Sequence, residues 1–276
     1  MTFMGSKNKY KNDIPPIINK YIQDNDIKSF IDCTAGGANL TDKIICESVY
    51  AIDLSPSLIG LHKQAQQDFS KIPIDGNKEM WNNSYAAWKR MKKILDRKNF
   101  IDFTDEDFNE IAMPLYEIGC MEWYASFSSG GFSRGYAKNS IARNYYQESW
   151  RNHKKQSESE IYKKIKFYCG DYQDIITKYR NTINNTNTVL YIDPPYKNTK
   201  PYAISKNFDY MRLYEWLNEI SKIYPIFVSE QFLPEEFNNF KIWEKEIKRT
   251  AGKDNNFKAK EILWLIDRRD NNEQRT

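Results

Sequence analysis

Four consecutive residues, Asp193-Pro194-Pro195-Tyr196, combine a carboxylate, two rigid backbone units and an aromatic ring. They directly follow residues 189–192, which have the pattern of a buried strand. Because proline cannot donate to a sheet ladder, the strand must stop there, and two fixed φ angles make the loop stiff. The Asp193 side chain and the carbonyls of Asp193 and Pro194 can accept hydrogen bonds from an exocyclic amine, while Tyr196 offers a ring for stacking. A turn that only ends the strand is the alternative.

A glycine turn is the second candidate feature. Residues 29–33 form a short apolar run that ends in Thr34-Ala35-Gly36-Gly37-Ala38. A strand that passes into glycines ahead of a helix allows backbone amides to approach a ligand closely. The spacing matches neither GxGxxG nor the GxxxxGK phosphate loop, so a dinucleotide or ATP cradle is not indicated. We predict a helix over residues 40–48 after this turn.

Two further carboxylates end predicted strands. Asp53 closes residues 49–53, at a distance from the glycine turn where an acidic side chain commonly binds ribose hydroxyls. Asp171 and Tyr172 follow residues 165–169 and offer a carboxylate and a ring to an adenine moiety. Alone, Asp53 could equally be a helix cap or a surface residue, and Asp171-Tyr172 could be part of a turn. Ligands of parallel sheets bind at the carboxyl ends of strands, and that location makes both sites candidates.

The elements that must position these residues alternate between apolar strands and helices. This order predicts an α/β fold with a Rossmann-like, mostly parallel sheet. An opening helix is expected over residues 14–23, with Pro15 and Pro16 in its first turn. The predicted strands cover residues 29–33, 49–53, 165–169, 188–192, 225–229 and 261–266.

Residues 65–160 differ from the rest of the chain, because they are polar and rich in Lys, Arg, Asn, Trp and Tyr, with a Gly/Ser cluster at 127–136. We interpret them as a mainly helical insertion. It would divide the main domain into residues 1–64 and 161–270, and residues 271–276 are expected to form a disordered tail.

The composition limits the class of protein. With 276 residues, 40% of them hydrophobic, the chain can form one sizeable core. A net charge of +4, from 41 Lys and Arg against 37 Asp and Glu, permits nucleic-acid binding without indicating it. The 4 cysteines are widely spaced and there are 2 histidines, so no metal site is expected. No signal peptide or membrane-spanning run is visible, and we expect a soluble cytoplasmic protein.

The order of these motifs resembles the Dam-type, or D12 class, DNA adenine-N6 methyltransferases, and their bacteriophage members in particular. The resemblance rests on Phe3-Met4-Gly5-Ser6-Lys7, the glycine turn, Gly170-Asp171-Tyr172 and Asp193-Pro194-Pro195-Tyr196. It extends through residues 127–136, 143–146 and 227–230. The family usually has Glu-Pro-Phe before its glycines, where this chain has Asp32-Cys33-Thr34.

The resemblance implies S-adenosyl-L-methionine as cofactor and double-stranded DNA as partner, in a bacterial host cell and with a phage or prophage origin. Lys7 would bind the carboxylate of the cofactor, although a solvated lysine is the alternative. The expected catalytic residues are Asp193, Pro194, Pro195 and Tyr196. The expected cofactor contacts are Met4, Gly5, Lys7, Asp32, Thr34, Ala35, Gly36, Gly37, Asp53, Leu54, Asp171, Tyr172 and Asp193. The expected DNA contacts are Arg134, Tyr136, Lys138, Arg143, Tyr145 and Phe208.

Methyl transfer from a sulfonium needs alignment and polar stabilisation rather than a nucleophilic side chain. We expect the target adenine to be flipped out of the duplex. Tyr196 would stack on it, Asp193 and the Pro194 carbonyl would accept the amine hydrogens, and Phe208 would close the pocket. The alternatives are another acceptor, such as cytosine N4, an RNA amine or a glutamine amide, and a DNA-binding relative without catalysis. A nicotinamide dehydrogenase is disfavoured by the glycine pattern.

Overall fold

A computed structural model describes residues 1–2, 5–96, 105–137, 144–178, 187–196, 208–247 and 259–269. A seven-stranded sheet forms its centre. The strands are β1 (Ser29–Asp32), β2 (Ser48–Asp53), β3 (Lys166–Cys169), β4 (Thr188–Ile192), β5 (Ile226–Ser229), β6 (Lys241–Ile247) and β7 (Ala259–Ile266). Across the sheet the order is β3-β2-β1-β4-β5-β7-β6.

Neighbouring strands from β3 to β5 are parallel, whereas β7 is antiparallel to both β5 and β6. The predicted fold class, a mostly parallel Rossmann-like α/β sheet, is confirmed. Each of the predicted strands is present, with ends that differ by up to two residues. Strand β6 was not predicted, because Lys241, Glu244 and Glu246 give this edge strand a polar pattern instead of a buried one.

Helices flank the sheet on both faces. They are α1 (Ile14–Asp24), α2 (Pro56–Gln67), α3 (Lys78–Leu95), α4 (Asp105–Ile111), α5 (Leu115–Gly119), α6 (Tyr145–Ser157), α7 (Glu160–Lys164), α8 (Tyr172–Lys178) and α9 (Tyr210–Ile220). The opening helix is confirmed, with its two prolines in the first turn. Helix α5 continues directly into a π-helical turn, Cys120–Tyr124.

The helix predicted over residues 40–48 is wrong. Only Thr41–Lys43 is helical, as one 3₁₀ turn, and Ile44 is already extended with φ −87° and ψ 125°. The Thr41 hydroxyl donates to Asp32 at 2.5 Å, which ties this turn to the end of β1. Strand β2 begins at Ser48, so too little chain remains for a helix of several turns.

Alternate strand residues face opposite sides of the sheet, and each side carries a hydrophobic layer. Phe30 and Tyr191 belong to one buried cluster, whereas their neighbours Ile31 and Leu190 belong to the other. The second cluster is covered by α8 and α9. Apolar burial on both faces holds β1 and β4 at the centre, so their carboxyl ends are rigid supports for the loops that follow.

The region between α2 and β3 is mainly helical, as predicted for the insertion. Its Trp81, Met91 and Tyr146 are buried in the same cluster as Phe30, so these helices cover one face of the sheet. The predicted borders at residues 65 and 160 fall inside α2 and at the start of α7. The division into two functional units stays a prediction, and the predicted tail at 271–276 lies outside the described residues.

Among the residues that the structure describes, none of the helices is both long and apolar enough to cross a bilayer. In the same residues, no group of three or more His, Cys, Asp or Glu side chains is arranged to hold a metal ion.

Candidate active site

The Asp193 loop, residues 193–196, and the glycine turn lie side by side, because β4 and β1 are neighbouring parallel strands. The backbone N–H of Asp193 donates to the Thr34 hydroxyl at 2.8 Å. The N–H of Cys33, the residue before Thr34, donates to the Tyr191 carbonyl at 2.8 Å. The two loops therefore form one continuous edge of the sheet.

Lys7 is buried beside the Asp193 loop, with 7% of its surface exposed. Its ammonium donates to Asp193 Oδ1 at 2.8 Å and to the Tyr196 hydroxyl at 2.6 Å. It also pairs with Glu261 Oε1 at 3.1 Å. An ammonium has three donors, and these acceptors occupy all of them. The alternative of a solvated lysine is wrong, and the contact with the cofactor carboxylate that the resemblance implies stays a prediction.

Burial and charge set the ionisation of this cluster. Burial raises the pKa of Asp193 to about 6 against the opposing effect of Lys7, and Glu261 adds to the rise. Burial lowers the pKa of Lys7, but Asp193 and Glu261 outweigh it, so this pKa lies above its ordinary value. Burial first, and then the two carboxylates, raise the pKa of Tyr196. The Tyr196 hydroxyl therefore keeps its proton and donates to Glu261 Oε1 at 2.6 Å.

Glu261 is a site residue that the sequence analysis missed. It lies in β7, is 1% exposed and contacts both Lys7 and Tyr196. A signal was present in the sequence, because Glu261 stands at the head of the apolar run 261–266. A carboxylate in a buried strand requires a partner, and here that partner comes from the opposite end of the chain.

Helix α9 holds the other side of the Asp193 loop. The hydroxyl of Tyr210, the first residue of α9, donates to the Pro195 carbonyl. The ring of Phe208 lies against Tyr210, with centroids 5.1 Å apart. Because Tyr210 contacts both Pro195 and Phe208, the Phe208 ring, which we expect to close a base pocket, lies near the Asp193 loop.

The glycine turn is fastened to β2. The N–H of Ala35 donates to the Ile52 carbonyl at 2.9 Å, and the N–H of Gly36 donates to Asp53 Oδ2 at 3.0 Å. Gly36 has φ +52°, in the left-handed region that glycine adopts at little cost. Asp53 Oδ1 accepts from the Ser55 N–H at 2.8 Å. Since a carboxylate has about four acceptor positions, Asp53 retains capacity for ligand hydroxyls.

Asp32 supports the turn from the inside. Its Oδ1 accepts from the Thr34 N–H at 3.1 Å, and its Oδ2 accepts from the Thr41 hydroxyl at 2.5 Å. Burial raises the pKa of Asp32 to about 7, although both hydrogen bonds oppose the rise. Because Asp32 accepts both hydrogen bonds from residues of the turn, it helps to shape the turn.

The two histidines of the chain form a buried chain of hydrogen bonds behind the glycine turn. His62 Nε2 lies 2.9 Å from the Gly36 carbonyl, which can only accept, so Nε2 carries the proton. His62 Nδ1 then accepts from the Tyr162 hydroxyl at 2.7 Å, and that hydroxyl accepts from His153 Nε2 at 2.8 Å. Burial lowers the pKa of His62 to about 4. Both rings are neutral supports of the turn, and neither is placed to act as a catalytic base.

Asp171 and Tyr172 follow β3 and occupy different environments. The N–H of Gly170 donates to the Asp53 carbonyl at 3.0 Å, which brings Asp171 close to the glycine turn. Asp171 accepts two hydrogen bonds from Arg212, at 2.8 and 2.9 Å. The Tyr172 ring is 5% exposed and packs against Trp216 in the second core cluster, with centroids 4.8 Å apart. The structure therefore places the Asp171 carboxylate, rather than the Tyr172 ring, at the edge where a ligand can bind.

The insertion contacts the Asp53 loop through a buried pair. The Ser57 hydroxyl donates to Glu122 Oε2 at 2.5 Å, and Ser57 also lies 3.0 Å from the Ser55 hydroxyl. This approach needs Gly119, because a Cβ there would overlap the Ser57 carbonyl. Burial raises the pKa of Glu122 to about 8, with Ser57 and Trp88 opposing the rise and Asp53 adding to it. Glu122, in the π-helical turn, was not predicted as a site residue.

Three residues that we expect to contact DNA lie around one loop of the insertion. Tyr136 pairs with Ser126 across this loop, and its ring packs on Trp81 with centroids 5.5 Å apart. Tyr145 begins α6, and the centroid of its ring lies 6.3 Å from that of the exposed Phe127 ring. The half-buried Arg134 ends a 3₁₀ turn in the same loop. The structure thus places these residues around one loop, and their role stays a prediction.

The remaining predicted contacts are placed as follows. Gly5 is exposed, with φ +78°, and Leu54 is half-buried beside Asp53. Gly37 is buried in the glycine turn, and Pro194 is buried in the Asp193 loop. The predicted contacts that lie outside the described residues are Met4, Lys138 and Arg143.

Comparisons with known proteins add a family. The model of the D12 class N6 adenine-specific DNA methyltransferase family matches residues 3–250. No curated protein sequence gives a match. Among solved structures, the chain resembles the rRNA methyltransferase aviRa from Streptomyces viridochromogenes, with a TM-score of 0.39 and 10% identity. That likeness covers 91% of this chain and 80% of the other, and its low score supports no inference.

Proposed function

The chain belongs to the D12 class N6 adenine-specific DNA methyltransferase family, and from this membership we propose that it transfers a methyl group from S-adenosyl-L-methionine to N6 of adenine in double-stranded DNA. The observation that carries the proposal is the hydrogen bond from the Asp193 N–H to Thr34. It places a carboxylate suited to an amine directly beside a turn suited to a nucleoside. A transferase needs these two binding sites next to each other.

The residues at the sheet edge fit the proposed cofactor. Asp53 has acceptor capacity left after its two backbone hydrogen bonds and suits ribose hydroxyls. Asp171 is held next to it and suits the amine of an adenine ring. The turn residues Ala35 and Gly36 offer backbone at close range. When bound, S-adenosyl-L-methionine supplies a methyl group that its positive sulfur has already activated.

Asp193 is the proposed acceptor for the target amine. Its Oδ1 is occupied by Lys7, and within the described part of the chain no hydrogen bond to its Oδ2 is found. Oδ2 and the Pro194 carbonyl can accept the two amine hydrogens and so turn the nitrogen lone pair towards the methyl group. The ring of Tyr196 provides the stacking surface that offsets extraction of the base from the duplex.

Lys7 is a positioning residue in this proposal. It fixes Asp193 and Tyr196 at once, and Glu261 fixes Lys7 in turn. An ion pair that is both buried and fully hydrogen-bonded holds its geometry without reorganisation during the reaction. The proposed role therefore moves Lys7 from the cofactor to the loop that binds the base.

The insertion is the proposed DNA-reading element. Arg134 supplies a cation for phosphates, and the aromatic pair Phe127 and Tyr145 supplies surface for bases or sugars. The Ser57–Glu122 hydrogen bond links this element to the loop that holds Asp53.

The acceptor can be identified with purified protein and S-adenosyl-L-methionine carrying an isotope-labelled methyl group. Duplex DNA from a methylation-free host and total RNA serve as parallel substrates, and each is digested to nucleosides after reaction. We expect label only in N6-methyl-2′-deoxyadenosine, which comes from DNA. Label in RNA, in N4-methylcytosine or in no nucleoside would reject the proposed acceptor.

A further inference from the structure

Glu230 lies at the same sheet edge as the Asp193 loop. It directly follows β5, which pairs in parallel with β4, so both strands end on the same side. Its backbone is fixed from β7, because the Glu230 N–H donates to the Ile262 carbonyl at 3.2 Å. The Trp264 indole N–H donates to the Glu230 carbonyl at 2.9 Å. This anchoring makes Glu230 a rigid part of the edge.

The side chain of Glu230 is buried but only half satisfied. The residue is 3% exposed. Its Oε1 accepts from the Gln231 N–H at 2.6 Å, whereas its Oε2 has no hydrogen-bond partner in the part of the chain that the structure describes. A buried polar atom without a partner destabilises the fold, so an oxygen left in this state at a binding edge indicates a ligand.

The groups around Glu230 belong to the base-binding side of the edge. Burial raises the pKa of Glu230 to about 8, and Asp193 adds to the rise, whereas backbone N–H groups of Gln231 and Phe232 and the charge of Lys7 oppose it. Glu230 in turn raises the pKa values of Tyr210 and Tyr214 on α9, in both cases after the effect of burial. At neutral pH the carboxyl is therefore protonated, and because Oε1 accepts a hydrogen bond, the proton resides on Oε2.

We propose that Glu230 is a base-binding residue whose Oε2–H donates to the ring nitrogen beside the amino group of the target base. The inference rests on the proposed function, since it assigns a partner in the same pocket. In adenine the amine is flanked by ring nitrogens that only accept. Asp193 would then receive the amine hydrogens while Glu230 supplies a donor to the neighbouring nitrogen. Guanine and thymine carry a carbonyl in place of the amine, so the two carboxyl groups together disfavour them.

The test combines Glu230 variants with altered DNA. The substrates are duplex oligonucleotides with a methylation site of the wild-type protein, in which the target adenine is unmodified, 1-deazaadenine or 7-deazaadenine. Each analogue lacks one ring nitrogen. We expect wild-type kcat/KM to fall about tenfold on one of the two analogues, the size of one lost hydrogen bond of about 1.4 kcal/mol. E230L should lose about tenfold on unmodified DNA and nothing further on that analogue.

Two more variants distinguish binding from folding. E230Q retains an N–H donor, so it should stay within about threefold of wild type. We expect wild-type activity to decline as pH rises past about 8, and E230Q should lack this decline. E235L changes an exposed glutamate five residues further on and should match wild type throughout. Equal analogue effects in wild type and E230L, or a wild type that is indifferent to both analogues, would overturn the assignment. Wild-type methylation of unmodified DNA in the same series tests the proposed function separately.

Discussion

Thr34 accepts a hydrogen bond from the backbone N–H of Asp193 at 2.8 Å, and this one bond connects the turn after β1 to the loop after β4. In the proposed reaction the turn after β1 binds the methyl donor and the loop after β4 binds the target amine. Misplacement of reacting groups by about 1 Å can cost 100-fold in rate. The spacing of the two substrates thus depends on a side chain that need not contact either of them.

Replacing Thr34 tests this connection. T34V keeps the shape of the side chain but leaves the Asp193 N–H without an acceptor, which we expect to cost about 1–3 kcal/mol in stability. It should lower kcat more than it raises KM for either substrate. T34S retains the hydroxyl and serves as the matched control. Steady-state kinetics and denaturant unfolding measure both effects, and a T34V enzyme with wild-type kcat would show that the bond does not set the geometry.

The pH dependence of activity should follow Asp193. Its pKa of about 6 means that the carboxylate, which accepts the amine hydrogens, becomes ionised as pH rises through 6, so kcat/KM should rise over the same range. Lys7 lowers this pKa, and K7M should therefore shift the acidic limb to higher pH. It should also destabilise the fold by about 3–5 kcal/mol, because it leaves buried carboxylates unpaired.

K11M is the control for this experiment, since Lys11 is exposed and lies four residues away. Rate profiles between pH 5 and 8 make the comparison. An acidic limb that stays in place in K7M would contradict the coupling between Lys7 and Asp193.

The ring and the hydroxyl of Tyr196 should have separable effects. Y196F removes the hydroxyl that lies between Lys7 and Glu261 but keeps the ring, so it should lower stability by about 1–3 kcal/mol with little change in DNA affinity. Y196A removes the stacking surface as well and should weaken binding of the target base by about 1–3 kcal/mol. Fluorescence titration with DNA and thermal unfolding distinguish the two. Equal DNA affinity in Y196A and wild type would exclude stacking by this ring.

Glu122 should make stability fall with rising pH. Burial raises its pKa from 4.5 to about 8, so the folded state holds a proton that the unfolded state releases. This contribution is fully present below pH 4.5 and is lost as pH rises to 8, with a total on the order of 5 kcal/mol. E122Q cannot ionise, and its stability relative to wild type should increase from pH 6 to pH 9.

Chemical denaturation at both pH values measures this difference, with E117Q, a change of a less buried glutamate in α5, as control. A stability difference between E122Q and wild type that is independent of pH would mean that Glu122 does not ionise in this range.

The sequence was sufficient for six of the seven strands, because apolar strands and the glycines and prolines that end them are local patterns. It was insufficient for pairings between distant segments. Lys7 and Glu261 are 254 residues apart and meet only because β7 lies beside β5 in the folded sheet. Burial of the Tyr172 ring against Trp216 depends on the same kind of packing. The helix expected at 40–48 failed for a related reason, since Thr41 bonds to Asp32 across the turn.

The proposed role of Asp193 in adenine methylation is tested most directly in a methylation-free host that expresses either the wild-type chain or D193A. The measurement is the position and amount of N6-methyladenine in the DNA of that host. We expect N6-methyladenine at discrete sequence sites with wild type and none with D193A, although D193A should still be folded and retain much of its cofactor binding. N6-methyladenine formed by D193A, or the absence of any methylated adenine with wild type, would contradict the proposed role.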